Sequence, residues 1–321
     1  MSAELHVTNG DATDVKGSGL AERILVWRDV LHEGPVPDVA PDELRRVRAE
    51  FLAGDHDRDT LRRFEERDET LAAARDGRYV LWFEADLYCQ LQLAEILARL
   101  AELAVPAERI TLICIGEYPG IAHFGGLGEL TAEQLRDLAA TPARATLTGA
   151  ALDLAARAWS ALRAPQPYGL GPIAAARSGE LRFLGEAFDR LSREYPSTRD
   201  GLSLTERRIL AAVADGEQTA ETVFLRIAAR EIRPYLGDTW AFAAMERLAR
   251  SRVPLLDADR PVGLHTRLRL TTAGARVLDG AEDHVALNGI DRWIGGVHLA
   301  GAEARWRWHE GTETITPVRP A

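Results

Sequence analysis

The run Ile110-Thr-Leu-Ile-Cys-Ile115 shows no alternation of apolar and polar positions. A strand without a polar side has no face to give to water, so it belongs inside a sheet covered on both faces, as in parallel α/β folds. Leu5-His-Val-Thr8, Ile24-Leu-Val-Trp27 and Tyr79-Val-Leu-Trp-Phe83 are three further short strands of this type. Between them lie segments spaced for amphipathic helices, with Leu44, Val47 and Phe51, then Leu61, Phe64 and Leu71, then Leu87, Leu91, Ala94 and Leu97 on single faces. The alternation predicts a Rossmann-like α/β domain with a mainly parallel sheet over residues 1–165.

Ala164-Pro-Gln-Pro-Tyr-Gly-Leu-Gly-Pro172 breaks the pattern, and Pro196-Ser-Thr-Arg-Asp-Gly201 breaks it again. The residues between, helical over Ile173 to Tyr195, form a helical connector spanning 166–201. After it, the capping box Ser203-Leu-Thr-Glu206 opens a helix that Asp215-Gly216 stops, and the chain continues with helical stretches at 220–231 and 239–250. Leu264-His-Thr-Arg-Leu-Arg-Leu270 then alternates as a strand with the leucines inward, and Thr271 to Leu278 is a last helix. Helix, helix, helix and strand pair is the order of a winged helix, so residues 202–321 are expected to be a winged-helix-like domain. Its end, Trp293 to Leu299 and Ala304 to Trp308 about Gly301, is expected to close as a β-hairpin.

Charge separates the two parts. Residues 202–321 hold 16 arginines and 16 acidic residues, which leaves 23 basic and 33 acidic residues of the chain's 39 and 49 in the first part. The first domain therefore carries the whole net charge of −10, repels a phosphate backbone, and leaves any DNA contact to the C-terminal domain. There the exposed alternation offers His265, Arg267 and Arg269, but the helix beginning at Gly237-Asp-Thr-Trp-Ala-Phe242 lacks the Arg, Asn or Gln of a base reader. A small-molecule ligand is thus preferred over DNA. No apolar run spans a bilayer and the first residues form no signal peptide, so a cytoplasmic protein without membrane association is expected. Cys89 and Cys114 sit in apolar segments and read as reduced core residues; oligomeric state is not readable.

Each strand of the first domain runs into charged or amide residues, and ligands in open α/β sheets settle beyond the carboxyl ends of the strands. Asp11, Asp29, Glu84 and Asp86 are the candidate catalytic acids, because carboxyl groups crowded together shift one another's pKa and suit acid–base work. His6, Asn9, Gly10, Arg28, His32, Gln90 and Glu117 are the candidate substrate-binding groups. Acids after strands also serve turns and helix caps, and Asp86 is placed as the N-cap of its helix. The spacing names no metal and no motif identifies a cofactor. The loop Gly10-Asp-Ala-Thr-Asp-Val-Lys-Gly-Ser-Gly19 has amides for an anion, and Gly125-Gly-Leu-Gly128 reads as a turn before the capping box Thr131-Ala-Glu-Gln134. With no Gly-x-Ser-x-Gly elbow and no cysteine beside a candidate base, covalent acyl transfer is not expected.

These residues fall within long motifs: His6-Val-Thr-Asn-Gly-Asp11, Trp27-Arg-Asp-Val-Leu-His-Glu-Gly-Pro-Val-Pro37, Leu81-Trp-Phe-Glu-Ala-Asp-Leu-Tyr-Cys-Gln-Leu-Gln-Leu93, Ile113-Cys-Ile-Gly-Glu-Tyr-Pro-Gly120, Pro196 to Ser203, Tyr235-Leu-Gly-Asp238 and Asn288-Gly-Ile-Asp-Arg-Trp-Ile-Gly-Gly-Val-His298. In them the chain resembles an uncharacterised bacterial two-domain family, a pairing of domains of unknown function. Ala12 stands where that pattern carries serine and Ala85 where it carries His, and the first change removes a hydroxyl from the loop after the first strand. The resemblance implies the two-part layout and no particular reaction. The residues themselves predict an intracellular ligand-binding enzyme acting on a polar or phosphorylated small molecule or nucleotide, or alternatively a ligand-sensing adaptor whose second domain engages DNA or a protein.

Overall fold

A computed structural model describes residues 4–53, 59–122, 124–216, 218–259, 261–302 and 304–318. The chain divides into two compact units, Met1–Phe188 with Gly295–Val297, and Asp189–Ile294 with His298–Ala321.

The first unit is built on a sheet of five strands: β1 (Glu4–Thr8), β2 (Ile24–Val26), β3 (Arg78–Glu84), β4 (Ile110–Ile115) and β5 (Arg144–Thr146), in the spatial order β2-β1-β3-β4-β5. β1 runs parallel to both β2 and β3, and β3 runs parallel to β4. Only the edge strand β5 is antiparallel. All six residues of β4 are buried, as its lack of alternation requires. Helices α1 (Pro41–Ala53) and α2 (Asp59–Ala73) fill the connection from β2 to β3, α3 (Leu87–Glu102) follows β3, and α4 (Ala132–Ala139) and α5 (Gly149–Arg163) follow β4 and β5.

The strand order has a functional consequence. The chain passes from β1 to β2 on one side, then returns past β1 to β3 on the other. The connections leaving β1 and β3 therefore diverge, and in open α/β sheets that reversal marks the place of the ligand crevice, between the carboxyl ends of these two strands. Register fixes its walls: Thr8 lies opposite Trp82, and Glu84 opposite Ile115.

Helix α3 forms the floor of this region. Asp86 caps it by accepting the Cys89 amide at 3.0 Å, with φ −75° and ψ 164°. Its apolar residues Leu87, Leu91, Ile96, Leu97 and Leu100 are all buried, each contributing roughly 1.5–3 kcal/mol of transfer free energy. Buried polar residues on the same helix are matched: the Gln92 amide donates to the Asp29 carbonyl, and Glu95 accepts from the Trp27 indole and Arg99. Gly296 belongs to this unit because its amide donates to the Leu162 carbonyl at 2.8 Å, and a Cβ there would fall 1.8 Å from the Arg163 carbonyl oxygen.

Four differences from the sequence reading concern the middle and end of the chain. The expected connector over 166–201 is divided between the units after Phe188, and the first unit extends past residue 165 through the short helix α6 (Leu170–Ala174). Residues 173–195 are not one helix. The segment after α6 is irregular, with the Ser178 hydroxyl accepting the Leu181 amide, until α7 (Leu184–Ser192) begins.

The second unit contains α8 (Leu204–Ala214), α9 (Ala220–Ala228) and α10 (Asp238–Arg250), the antiparallel pair β6 (Leu256–Ala258) and β7 (Leu268–Leu270), then α11 (Thr272–Leu278) and α12 (His284–Asn288). The capping box at Ser203 and Glu206 forms as expected. Ile209, Val223, Met245, Leu248 and Leu268 share its core. The strand expected over 264–270 shortens to three residues, because Gly263 to Thr266 is a turn; Leu264, expected inward, is 43% exposed. The final segment is also re-paired. Gly295–Gly296 splits the expected strand 293–299 into neighbouring strands β8 (Ile290–Gly295) and β9 (Val297–Gly301), while β10 (Trp306–His309) forms its hairpin with β11 (Thr314–Pro317). Trp306 and Trp308 are buried in that hairpin.

Candidate functional site

Glu84 is the last residue of β3, at the reversal of strand order between β1 and β3, and its carboxylate reaches Asn9 just beyond β1. Its carboxylate is held from three elements. Oε2 accepts the Asn9 side-chain amide at 2.7 Å and the Cys89 thiol at 2.7 Å; Oε1 accepts the Leu127 backbone amide at 2.8 Å. The Asn9 amide also donates to Cys89 Sγ at 2.8 Å. Asn9 is the first residue beyond β1, Cys89 lies in the first turn of α3, and Leu127 lies in the segment after β4, so the topology itself gathers the group.

Burial first, and then the neighbouring Asp86 carboxylate, raise the pKa of Glu84 from its ordinary 4.5 to about 7 against the opposing hydrogen bonds from Cys89 and Leu127. Burial likewise raises Asp86. The Cys89 thiol is pushed well above the ordinary thiol range, first by burial and then by the carboxylates of Asp86 and Glu84, so it remains protonated and donates. Burial takes Cys114 to about 12. The Gln90 side-chain amide donates to the Glu84 carbonyl at 2.7 Å and lies 3.5 Å from Cys114 Sγ. Among the described residues, no lysine or arginine is ion-paired with Glu84 or Asp86. One donor atom each from Glu84, Asp86 and Cys89 lies within 4.8 Å of the others, a grouping compact enough for a divalent cation.

Of the eleven residues singled out from sequence, Asn9, Glu84, Asp86 and Gln90 come together here. Gly10 stands beside Asn9, its carbonyl accepting the Thr8 hydroxyl at 3.0 Å. The others are placed differently. Asp29 lies buried in an ion pair with Arg48, Nη2 to Oδ1 2.6 Å, and Arg48 also donates to the carbonyls of Val30, Glu33 and Pro35. That carboxylate braces the loop after β2 and has no free edge toward the crevice. His6 points into the sheet packing, where Nδ1 accepts from the Trp82 indole at 3.0 Å and Nε2 pairs with Glu4, and burial lowers its pKa. His32 is buried edge-on to Tyr88 with ring centroids 6.0 Å apart. Asp11 and Arg28 form an exposed ion pair with each other, and Glu117 is exposed beyond β4.

The anion-loop expectation for Gly10 to Gly19 meets a different arrangement. The Gly17 amide is taken by Asp14 Oδ1 at 2.7 Å and the Ser18 hydroxyl by the Val15 carbonyl at 2.6 Å.

Three participants escaped the sequence reading. Cys89, expected only to pack, is bonded to the strongest candidate base, which corrects the expectation that no cysteine adjoins one. A strand-end Glu five residues before a cysteine, with the helix N-cap between them, was the available signal. Arg48 gave none, since its partner is 19 residues away across a loop. The Gly125–Gly128 turn is also more than punctuation, because it delivers the Leu127 amide.

No family model and no curated protein matches this chain. Among solved structures it is similar to that of the Aeropyrum pernix ORC1 protein in complex with DNA, at 17% identity, covering 87% of this chain and 86% of that one, with a TM-score of 0.19. A superposition that weak carries no argument about fold or activity. Among the described residues, no helix is long and apolar enough to cross a membrane.

Proposed function

We propose that the first unit is a Rossmann-like, cytoplasmic ligand-binding domain whose crevice between β1 and β3 binds a polar or phosphorylated small molecule or nucleotide, and that the protein acts on it as an enzyme. Glu84 is the acid–base group, and Asn9, Asp86 and Gln90 bind or orient. The observation that carries this reading is a buried carboxyl with a pKa of about 7, located where the strand order reverses. Such a group exchanges protons near neutral pH, the property a general base needs. Asp29, by contrast, supports the wall through Arg48. Crowded carboxylates favour ligands that bring donors, or phosphates that arrive with a divalent cation. The resemblance in sequence motifs agrees with this site, since two of those motifs supply Asn9, Glu84, Asp86, Cys89 and Gln90.

Thermal-shift screening of the purified chain against nucleotides and sugar phosphates, each with and without Mg2+, Mn2+ or Zn2+, tests the proposal. A compound that raises the melting temperature of the native chain but not of Glu84→Gln supports it. A compound that stabilises both equally would remove Glu84 from the site.

The helix order of the second unit, with the antiparallel pair β6–β7 and an isolated bridge between Thr219 and Arg267, favours a winged-helix reading of that unit. Under it the ligand-sensing adaptor stays open as a second function, with DNA or a protein as partner. Arg267 and Arg269 are exposed there, although Gln218 and Asp257 already engage them. A gel shift at low salt, absent in Arg267→Ala with Arg269→Ala, would establish DNA contact; no shift for the native chain would end it.

A further inference from the structure

Three donors hold the buried carboxylate of Glu84, and Oε1 is covered by the Leu127 amide alone, so a ligand that takes Oε1 competes with that amide for it. Two cannot move cheaply. Asn9 is anchored by the end of β1, where the Tyr88 hydroxyl also reaches its carbonyl at 3.4 Å, and Cys89 is fixed in the first turn of a buried helix. The third, the Leu127 amide, sits in a segment with glycine on both sides, Gly125-Gly126-Leu127-Gly128. This segment touches both walls of the crevice. A Cβ at Gly126 would lie 3.0 Å from Glu84 Oε1, and one at Gly128 would lie 2.6 Å from the Cβ of Ala12 in the loop after β1. Gly126 holds φ +147°, which few side chains tolerate. Leu127 anchors the segment, fully buried among Val15, Val80, Trp82 and Ile113.

We propose that residues 125–128 form a strap gating the crevice, latched to Glu84 through the Leu127 amide and released when a ligand takes that carboxylate oxygen. This rests on the reading of the crevice as the binding site. Of the three contacts, the Leu127 amide is the one carried by the most deformable backbone, so engagement of Glu84 Oε1 and displacement of the strap are a single event. Three glycines give the strap its freedom, while the Leu127 side chain sets where it returns.

Hydrogen–deuterium exchange without any ligand tests the latch, with iodoacetamide labelling mapped by mass spectrometry reporting access to the site. Two variants are used: Glu84→Ala removes the acceptor, and Gly126→Ala strains the strap and crowds Oε1 while retaining the carboxylate itself. Both should speed exchange of the Leu127 amide by about tenfold or more, as loss of a bond to a charged acceptor implies. Both should also speed labelling of Cys89, while exchange in β3 and α8 stays as in the native chain. Native exchange at Leu127 in Gly126→Ala overturns the latch, whatever Glu84→Ala does to folding. Faster exchange at Leu127 without faster labelling of Cys89 overturns the gate. Because no ligand enters, either failure leaves the binding reading standing, and a blank thermal-shift screen would leave the latch standing.

Discussion

Replacing Glu84 by Gln keeps the shape of a buried side chain and removes its charge. In the native chain the folded-state pKa, about 7, stands above the unfolded value of 4.5. The folded protein therefore holds this proton more tightly than the unfolded chain. Its contribution to stability is complete below pH 4.5 and is lost as pH rises through 7. Linkage with these two values makes the loss about 2–3 kcal/mol between roughly pH 5 and pH 8. The Gln variant has no such term. Hydrogen bonds lost by the substitution shift both pH values equally, so they cancel when the variant is compared with the native chain at two pH values. Urea unfolding followed by tryptophan fluorescence should show Glu84→Gln gaining about 2–3 kcal/mol relative to the native chain on going from pH 5 to pH 8. Stability curves that run parallel across that interval would show that Glu84 is not held in a desolvated site, and the acid–base assignment would fall with it.

Two further outcomes follow from buried partners. Arg48→Met leaves the Asp29 carboxylate buried and unpaired, and should cost about 3–5 kcal/mol in urea unfolding; a cost below about 1 kcal/mol would mean that the loop after β2 is braced by something else. Cys89 and Cys114 are both buried with raised pKa values, so a disulfide reagent at neutral pH should titrate neither in the native chain and both in guanidinium. Prompt native reaction would contradict the burial of the Glu84 cluster.

The α/β character of the first unit was legible because it is a property of local pattern: strands such as Ile110–Ile115 carry no polar face, and helices between them carry one. Caps at Asp86, Thr131 and Ser203 were equally readable, since each depends on atoms within three residues. The polar residues at the strand ends gave the place of the site for the same reason. What they could not give was which acids meet. Asp29 and Glu84 look alike in sequence, each closing a strand; the tertiary structure hands one to Arg48 and gives the other neutral donors, with no cation among the described residues. Pairing over long separations also decided the end of the chain, where Gly295 and Gly296 break a strand that alternation alone would continue. Local sequence sets backbone preference and burial periodicity, whereas the partner of a buried charge is chosen by strand order, because only the fold determines which distant side chains must share one low-dielectric space.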